Sequence, residues 1–182
     1  MTRIKAIGGK TDVAAEHHHV VDGVLETFGQ VRGPFSMLLH SPDLAERLLP
    51  LVHFFRSGTT VAGKDLSLAV LVAARAREGA YVWSRQVDVA RRNGVREEAI
   101  DLIRRKGDPA ELPPEERDIV VYARQLAETN RVEQSAFDAL RARHDEQWLV
   151  ELTAASCYYG MLSGVVSTFE VPAPDDGDRL PT

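Results

Sequence analysis

Apolar residues recur along this chain at helical spacing, and glycine and proline close the intervals between the apolar runs. Val21, Leu25 and Phe28 share one helical face ahead of a loop at residues 30–34. Ser41 and Pro42 supply a cap residue and a proline at the first helical position. Leu44, Leu48, Leu51, Val52 and Phe55 then predict a helix over 42–57, ended by Gly58. Residues 64–77 are apolar nearly all round, which predicts a helix buried on most sides. The next helix, 81–93, is half polar and stops at Gly94, with Arg91 and Arg92 in its last turn, where cations suit the helix dipole. Shorter helices over 96–105, 115–128 and 134–143 follow, separated by glycine and proline. Residues 146–169 put Leu149, Leu152, Ala155, Tyr159, Leu162, Val166 and Phe169 on an apolar face, and Pro172, Pro174 and Pro181 keep the acidic tail out of helix. The few β-like runs, such as 119–122, sit inside helical patterns. An all-α, single-domain bundle of about seven helices is predicted, with an N-terminal extension over 1–20, the helical domain over 21–171 and a tail over 172–182. Small residues at 73, 74 and 76 and between 154 and 164 permit close helix contacts, some of them between subunits.

Composition narrows the function classes. With 182 residues, 44% hydrophobic and 27% charged, the chain can bury a core without disulfide or metal staples. A net charge of -5 and four scattered lysines exclude a surface built to neutralise phosphates, so no nucleic-acid partner is expected. The one cysteine, Cys157, excludes an intrachain disulfide and a zinc site made of several thiolates, and its apolar, aromatic flanks predict a buried thiol. No apolar run reads as a membrane span, and the first twenty residues lack the apolar core of a signal peptide; a cytoplasmic protein with no membrane partner is expected.

Three segments carry a resemblance. GPFSMLLHSPDLAERLLPLVHFFR (33–56), DLSLAVLVAARAREGAYVWSRQVDVARRNGVREEAI (65–100) and VELTAASCYYGMLSGVVSTFEV (150–171) resemble the opening helix, core hairpin and closing helix of the carboxymuconolactone decarboxylase and alkylhydroperoxidase D superfamily. The resemblance implies an oligomeric helical scaffold, a trimer or hexamer. It also places that family's redox positions. Its glutamate falls at Ser67, its two cysteines at Gly79 and Val82, and its histidine at Gln86. A dithiol both attacks a peroxide and resolves the sulfenate that forms, and neither glycine nor valine does either step. An antioxidant peroxidase is therefore disfavoured. Of the Tyr-Glu-Trp-x-x-His pattern that other members keep, only Tyr81 and Trp83 remain.

Any chemistry must then come from neighbouring side chains. Gln86, Tyr81 and His53 are the candidate catalytic groups, and Trp83, Arg85, Ser67 and Val82 the candidate substrate-binding ones. An amide can donate to an oxyanion but cannot cycle a proton, whereas a histidine can. Arg85 and Arg75 read first as solvated or subunit-bridging charges and second as anion clamps, Tyr81 and Trp83 first as core or interface aromatics and second as pocket walls, and His53 first as a packed histidine and second as a base. Glu78 would act as a base only if the helix break turned it inward. His17, His18 and His19 point in three directions on a helix, and no metal-ligand spacing, phosphate loop or nucleophile elbow is present. No cofactor is expected. The sequence thus predicts a cofactor-free lyase or related proton-transfer enzyme on a small organic acid or lactone, with a non-catalytic oligomeric relative as the alternative.

Overall fold

The computed structural model describes residues 2–181 and is helical throughout, with no strand among them. Among the described residues nine α-helices carry the fold: α1 (His18–Phe28), α2 (Pro34–Leu38), α3 (Pro42–His53), α4 (Gly63–Ala76), α5 (Ala80–Arg92), α6 (Glu97–Arg104), α7 (Pro114–Thr129), α8 (Gln134–Arg141) and α9 (Glu146–Thr168). The pattern predicts about seven. A one-turn helix such as α2 is too short to leave a period in the sequence.

Helix α4 is the axis of the bundle. Leu68 to Ala74 are all buried, and α5, α7 and α9 pack around it, as its nearly uniform apolarity requires. The α4–α5 turn is made by Glu78, at φ 51°, and by Gly79, where a Cβ would stand 2.5 Å from the side chain of Ser163 on α9. The Glu78 carboxylate points outward and pairs with Arg75 and Lys106, so it takes no part in an internal site.

The predicted 42–57 helix changes register near its end. α3 stops at His53 and the chain continues as a π turn, Phe54–Gly58. The apolar stripe runs through the change, which is why periodicity does not reveal it. Ser41 precedes Pro42 as expected but makes no side-chain capping bond. After the π turn, Glu151 of α9 gathers the following loop. Its buried carboxylate accepts from Thr59 Oγ1 (2.7 Å), Thr60 N (2.6 Å), Thr60 Oγ1 (2.9 Å) and Gln147 Nε2 (2.8 Å). Burial pushes this carboxyl upward, but the Gln147 amide, the threonine hydroxyls and the backbone N–H outweigh it and hold it at about 2, against 4.5 ordinarily. A depressed pKa contributes stability that is complete above pH 4.5 and lost as pH falls toward 2. Chemical denaturation of the native chain should therefore lose roughly 2–3 kcal/mol across that window. Glu151→Gln should flatten this acid limb; an unchanged limb would assign it to other carboxylates.

The described segments before α1 and after α9 both lie on the bundle. Ile7 is buried and its N–H bonds to Ser36 O at 2.9 Å, while Arg3 N bonds to Phe169 O at 3.0 Å. Two expectations about α9 need correction. The helix Glu146–Thr168 is long and apolar enough to cross a membrane by length and composition, with an 18-residue window of mean hydropathy 1.3, although 56% of that window is buried inside the bundle. Cys157 on the same helix is exposed, because the apolar residues flanking it alternate between the buried face and an outward one.

Candidate functional site

A cavity of about 390 Å³ opens between α1, α2, the π turn, α5 and α9. Helix α5 supplies most of one wall. Tyr81, Val82, Arg85, Gln86, Asp88, Val89 and Arg92 line it, since the 1, 4, 5, 8 spacing from Tyr81 keeps one stripe of the helix facing inward. Phe28, Phe35, Val52 and Leu162 give the cavity an apolar floor, and Tyr159 of α9 adds a second phenol. Arg32, from the loop ahead of α2, and Arg56, from the π turn, complete a set of four arginines. Asp88 is the only carboxylate among the lining residues.

Arg56 is held in place from two sides. Its guanidinium lies 4.9 Å from the centre of the Phe28 ring, and Nη1 donates to Thr27 O at 3.1 Å. The π turn sets the register that aims this side chain at the cavity. Arg85 is less committed. Its nearest acid is Asp176 on the tail, at 3.7 Å and largely exposed, and its Nε is buried without a partner among the described residues. A buried N–H left unpaired costs free energy, so a donor of this kind fits an acceptor brought by a ligand.

The phenols remain protonated well past neutrality. Burial pushes Tyr81 above its ordinary 10.0, against the opposing charges of Arg32 and Arg85, and burial likewise raises Tyr159 against Arg56. Tyr81 is seated against Gly33, where the backbone has φ 60° and ψ -137°, and a Cβ there would lie 2.3 Å from the Tyr81 ring. Only glycine combines that conformation with that approach.

Of the residues nominated from the sequence, Tyr81, Val82, Arg85 and Gln86 converge on this cavity. The other three lie elsewhere. Ser67 is buried at the far end of α4, where its Oγ accepts from Asn93 Nδ2 at 2.9 Å. His53 is exposed on α3 behind the wall, with Nε2 at 3.0 Å from Thr27 Oγ1. Trp83 is fully buried on the opposite face of α5 and donates from Nε1 to Asp178 Oδ1 at 3.0 Å.

That last contact belongs to a strap the sequence does not disclose. The tail turns back over α5, and Asp178 also receives Arg104 Nη2 at 2.9 Å and Arg91 Nη2 at 3.2 Å. Burial works upward on this carboxyl, but Trp83 and the two arginines hold it below its usual value. Gly177 sits so close to Ser84 that a Cβ would be 1.7 Å from Oγ. Asp178→Ala would strand the buried indole N–H and separate three cationic and polar groups from their acceptor. A loss of about 1–3 kcal/mol in urea unfolding is expected, against near-neutrality for Asp175→Ala on the exposed part of the same tail. Arg32, Arg56, Arg92 and Tyr159 were not nominated either, since nothing in the local sequence marks them.

Two further observations bear on chemistry. The first thiol position of the resembled redox motif, Gly79, is filled sterically by Ser163, so no side chain fits there without moving α9. Among the described residues, no three His, Cys, Asp or Glu side chains are grouped so as to hold a metal ion.

Comparison with solved structures places the fold. The chain superimposes on a variant of the debrominase Bmp8 in complex with 2,3,4-tribromopyrrole (TM-score 0.73, 16% identity, 96% of this chain and 95% of that one). It also superimposes on the alkylhydroperoxidase AhpD core of an uncharacterized peroxidase-related protein from Ralstonia eutropha JMP134 (TM-score 0.72, 16% identity, 95% of each chain). A third is a protein of unknown function from Agrobacterium tumefaciens (TM-score 0.66, 21% identity, 76% of this chain and 96% of that one). No family model and no curated protein matches the sequence. The fold is therefore that of the alkylhydroperoxidase D-like proteins, in agreement with the resemblance carried by residues 33–56, 65–100 and 150–171.

Proposed function

We propose that this alkylhydroperoxidase D-like chain is a cofactor-free enzyme of the lyase or proton-transfer class, acting on a small oxygenated organic acid or lactone bound as an anion in the arginine-lined cavity. One observation carries the reading: in a chain of net charge -5, four arginines face a single aspartate around a cavity of about 390 Å³. That volume lies toward the lower end of the range of about 300–1,000 Å³ usual for small-molecule sites. The aromatic and aliphatic floor suits a flat or unsaturated carbon skeleton. A solved debrominase of this fold, in complex with 2,3,4-tribromopyrrole, is a precedent for a small flat ligand, though not for this chain's reaction.

The residues divide by capability. Arginine presents a fork matched to carboxylate and does not deprotonate, so Arg85, with Arg32 or Arg56, binds and orients the acid. As carbon dioxide leaves and its carbon–carbon bond breaks, or as a carbon-bound proton passes to the Asp88 carboxylate, the electron pair moves onto an adjacent carbonyl oxygen. The Gln86 amide and the arginines are donors able to meet that oxyanion. Tyr81 and Tyr159, kept neutral by burial, are the groups able to return a proton to carbon. The phenolate left behind regains its proton from water.

A second reading is favoured by one specific feature. With His53 outside the wall, Asp88 is the only side-chain carboxylate available to take a proton, which suits a binder that performs no turnover. Solution NMR in D₂O separates the two. Small β-oxo and unsaturated acids that bind should incorporate deuterium at carbon or release carbon dioxide with the native chain, and Tyr159→Phe should bind them equally while slowing exchange at least tenfold. Bound acids that remain unchanged over many hours would establish the non-catalytic reading instead.

A further inference from the structure

The geometry points to an antiparallel, two-fold pairing of the outward face of α9 with the same face of a second copy of this chain, about an axis passing beside Cys157. Val150, Ala154, Cys157, Met161 and Gly164 are all exposed and follow one another at intervals of four, three, four and three residues. That spacing keeps one seam on a single side of a helix and is the spacing by which paired helices interlock. Val150 is 66% exposed and Met161 40%, so the seam offers large apolar side chains to water while α9 buries its other face in the bundle. An exposed apolar seam of this length marks an interaction surface.

The seam's glycines are an independent observation. A Cβ added at Gly160 or Gly164 would meet nothing within 4 Å, so packing within the chain does not require either residue to be glycine. Each glycine inside a helix costs about 1 kcal/mol relative to alanine. Together with Ala73 of α4 and Ala127 of α7 they border a surface groove of about 380 Å³ beside the seam, concave and lined mainly by small side chains.

The projections and the hollows fit one another when the helix is turned end for end. In an antiparallel pair, facing residue numbers have a constant sum. With Cys157 opposite its own counterpart, Val150 faces Gly164 of the second copy and Ala154 faces Gly160, while Met161 faces the half-buried Thr153. The most exposed apolar side chain, Val150, thus meets a position with none, twice over, because the contact is isologous. Small residues let such helices approach closely, and no charged side chain lies on the seam between Val150 and Gly164. This self-complementarity selects a second copy of the chain over an unrelated partner, and it assigns the two glycines a purpose that the single chain does not supply. The pairing is compatible with a dimer or with a hexamer built from dimers, and not with a simple trimer.

Light scattering of the full-length chain at tens of micromolar should give an even number of copies. Diamide should convert the native assembly to a covalent dimer within minutes: two Cys157 thiols give up two protons and two electrons, the sulfurs join, and diamide becomes the hydrazine. Cys157→Ser should form none. Gly164→Leu is the decisive variant, because it fills the hollow while favouring the helix. It should raise helix content or thermal stability of the subunit and yet weaken pairing at least tenfold. Val150→Asp should abolish the diamide product. A monomeric native chain would overturn the proposal, in favour of a lipid-facing seam if it co-sediments with phosphatidylcholine vesicles and of a solvated one if it does not. A trimer, or an even assembly that survives Gly164→Leu and yields no covalent dimer, would overturn it as well.

Discussion

Replacing Arg85 with methionine should weaken binding of a small carboxylate by roughly ten- to a hundredfold and leave the stability of the fold nearly unchanged. A hydrogen bond to a charged group is worth about 1.5–3 kcal/mol, and each 1.4 kcal/mol is tenfold in affinity. The binding cost follows from Arg85 lining the cavity, and the stability result from how little the protein itself asks of this side chain. Its closest acid stands 3.7 Å away on an exposed stretch of the tail, and its Nε has no partner among the described residues. Methionine fills much of the same space without the charge. The sign reverses for Asp176→Asn, which removes the carboxylate paired with Arg85 at 3.7 Å and should tighten binding two- to threefold. Arg131→Met, on an exposed arginine outside the cavity, supplies the baseline for generic charge effects. Calorimetric titration with benzoate or fumarate reads all three. An Arg85→Met chain that binds as the native one does would remove the anion-binding role from α5.

Gly33→Ala should be the most damaging small substitution near the site, with a loss of about 2–5 kcal/mol. Two costs add. A non-glycine residue forced into this backbone region stores about 1–3 kcal/mol, and overpacking against a seated ring costs a similar amount. The geometry behind both is φ 60° with ψ -137°, and a Cβ 2.3 Å from Tyr81 Cε1 and 2.5 Å from Cζ. For a chain of this size each 1 kcal/mol moves Tm by about 2–4 °C, so a fall of roughly 5–15 °C is expected. Gly29→Ala separates the two costs. Gly29 also has a positive φ, 73°, but a Cβ there meets nothing within 4 Å, so that variant should lose only about 1 kcal/mol. Equal losses at the two positions would mean that the Tyr81 contact is slack.

How far the fold and the site are legible in the sequence follows from the range of the interactions that make them. Helices α4, α5 and α9 are set by apolar periodicity and by local stops, and the predicted spans of 64–77, 81–93 and 146–169 fall within one or two residues of the structure. Gly94, read as the residue closing α5, has φ 80° as that role requires. The π turn and α2 leave no such trace, because a register change keeps the stripe and a single turn has no period. The site divides in the same way. Tyr81, Val82, Arg85 and Gln86 lie on one helix and can be grouped by counting residues. Arg32, Arg56 and Tyr159 reach the cavity from three other segments, and only tertiary packing brings them to α5. Trp83 shows the reverse error. Its place beside the motif suggests a pocket wall, yet the acceptor of its indole N–H is Asp178, 95 residues further on in a proline- and aspartate-rich tail that gives no sign of docking.

The measurement closest to the central claim is a calorimetric titration of the native chain with benzoate, 2-furoate, fumarate and succinate, each paired with its uncharged methyl ester, at low and high salt. At least one carboxylate should bind saturably, one per chain, more weakly as salt rises, and its ester at least tenfold more weakly still. Equal binding of acid and ester, or no binding by any of the four acids at millimolar concentration, would contradict an anion site in the arginine-lined cavity.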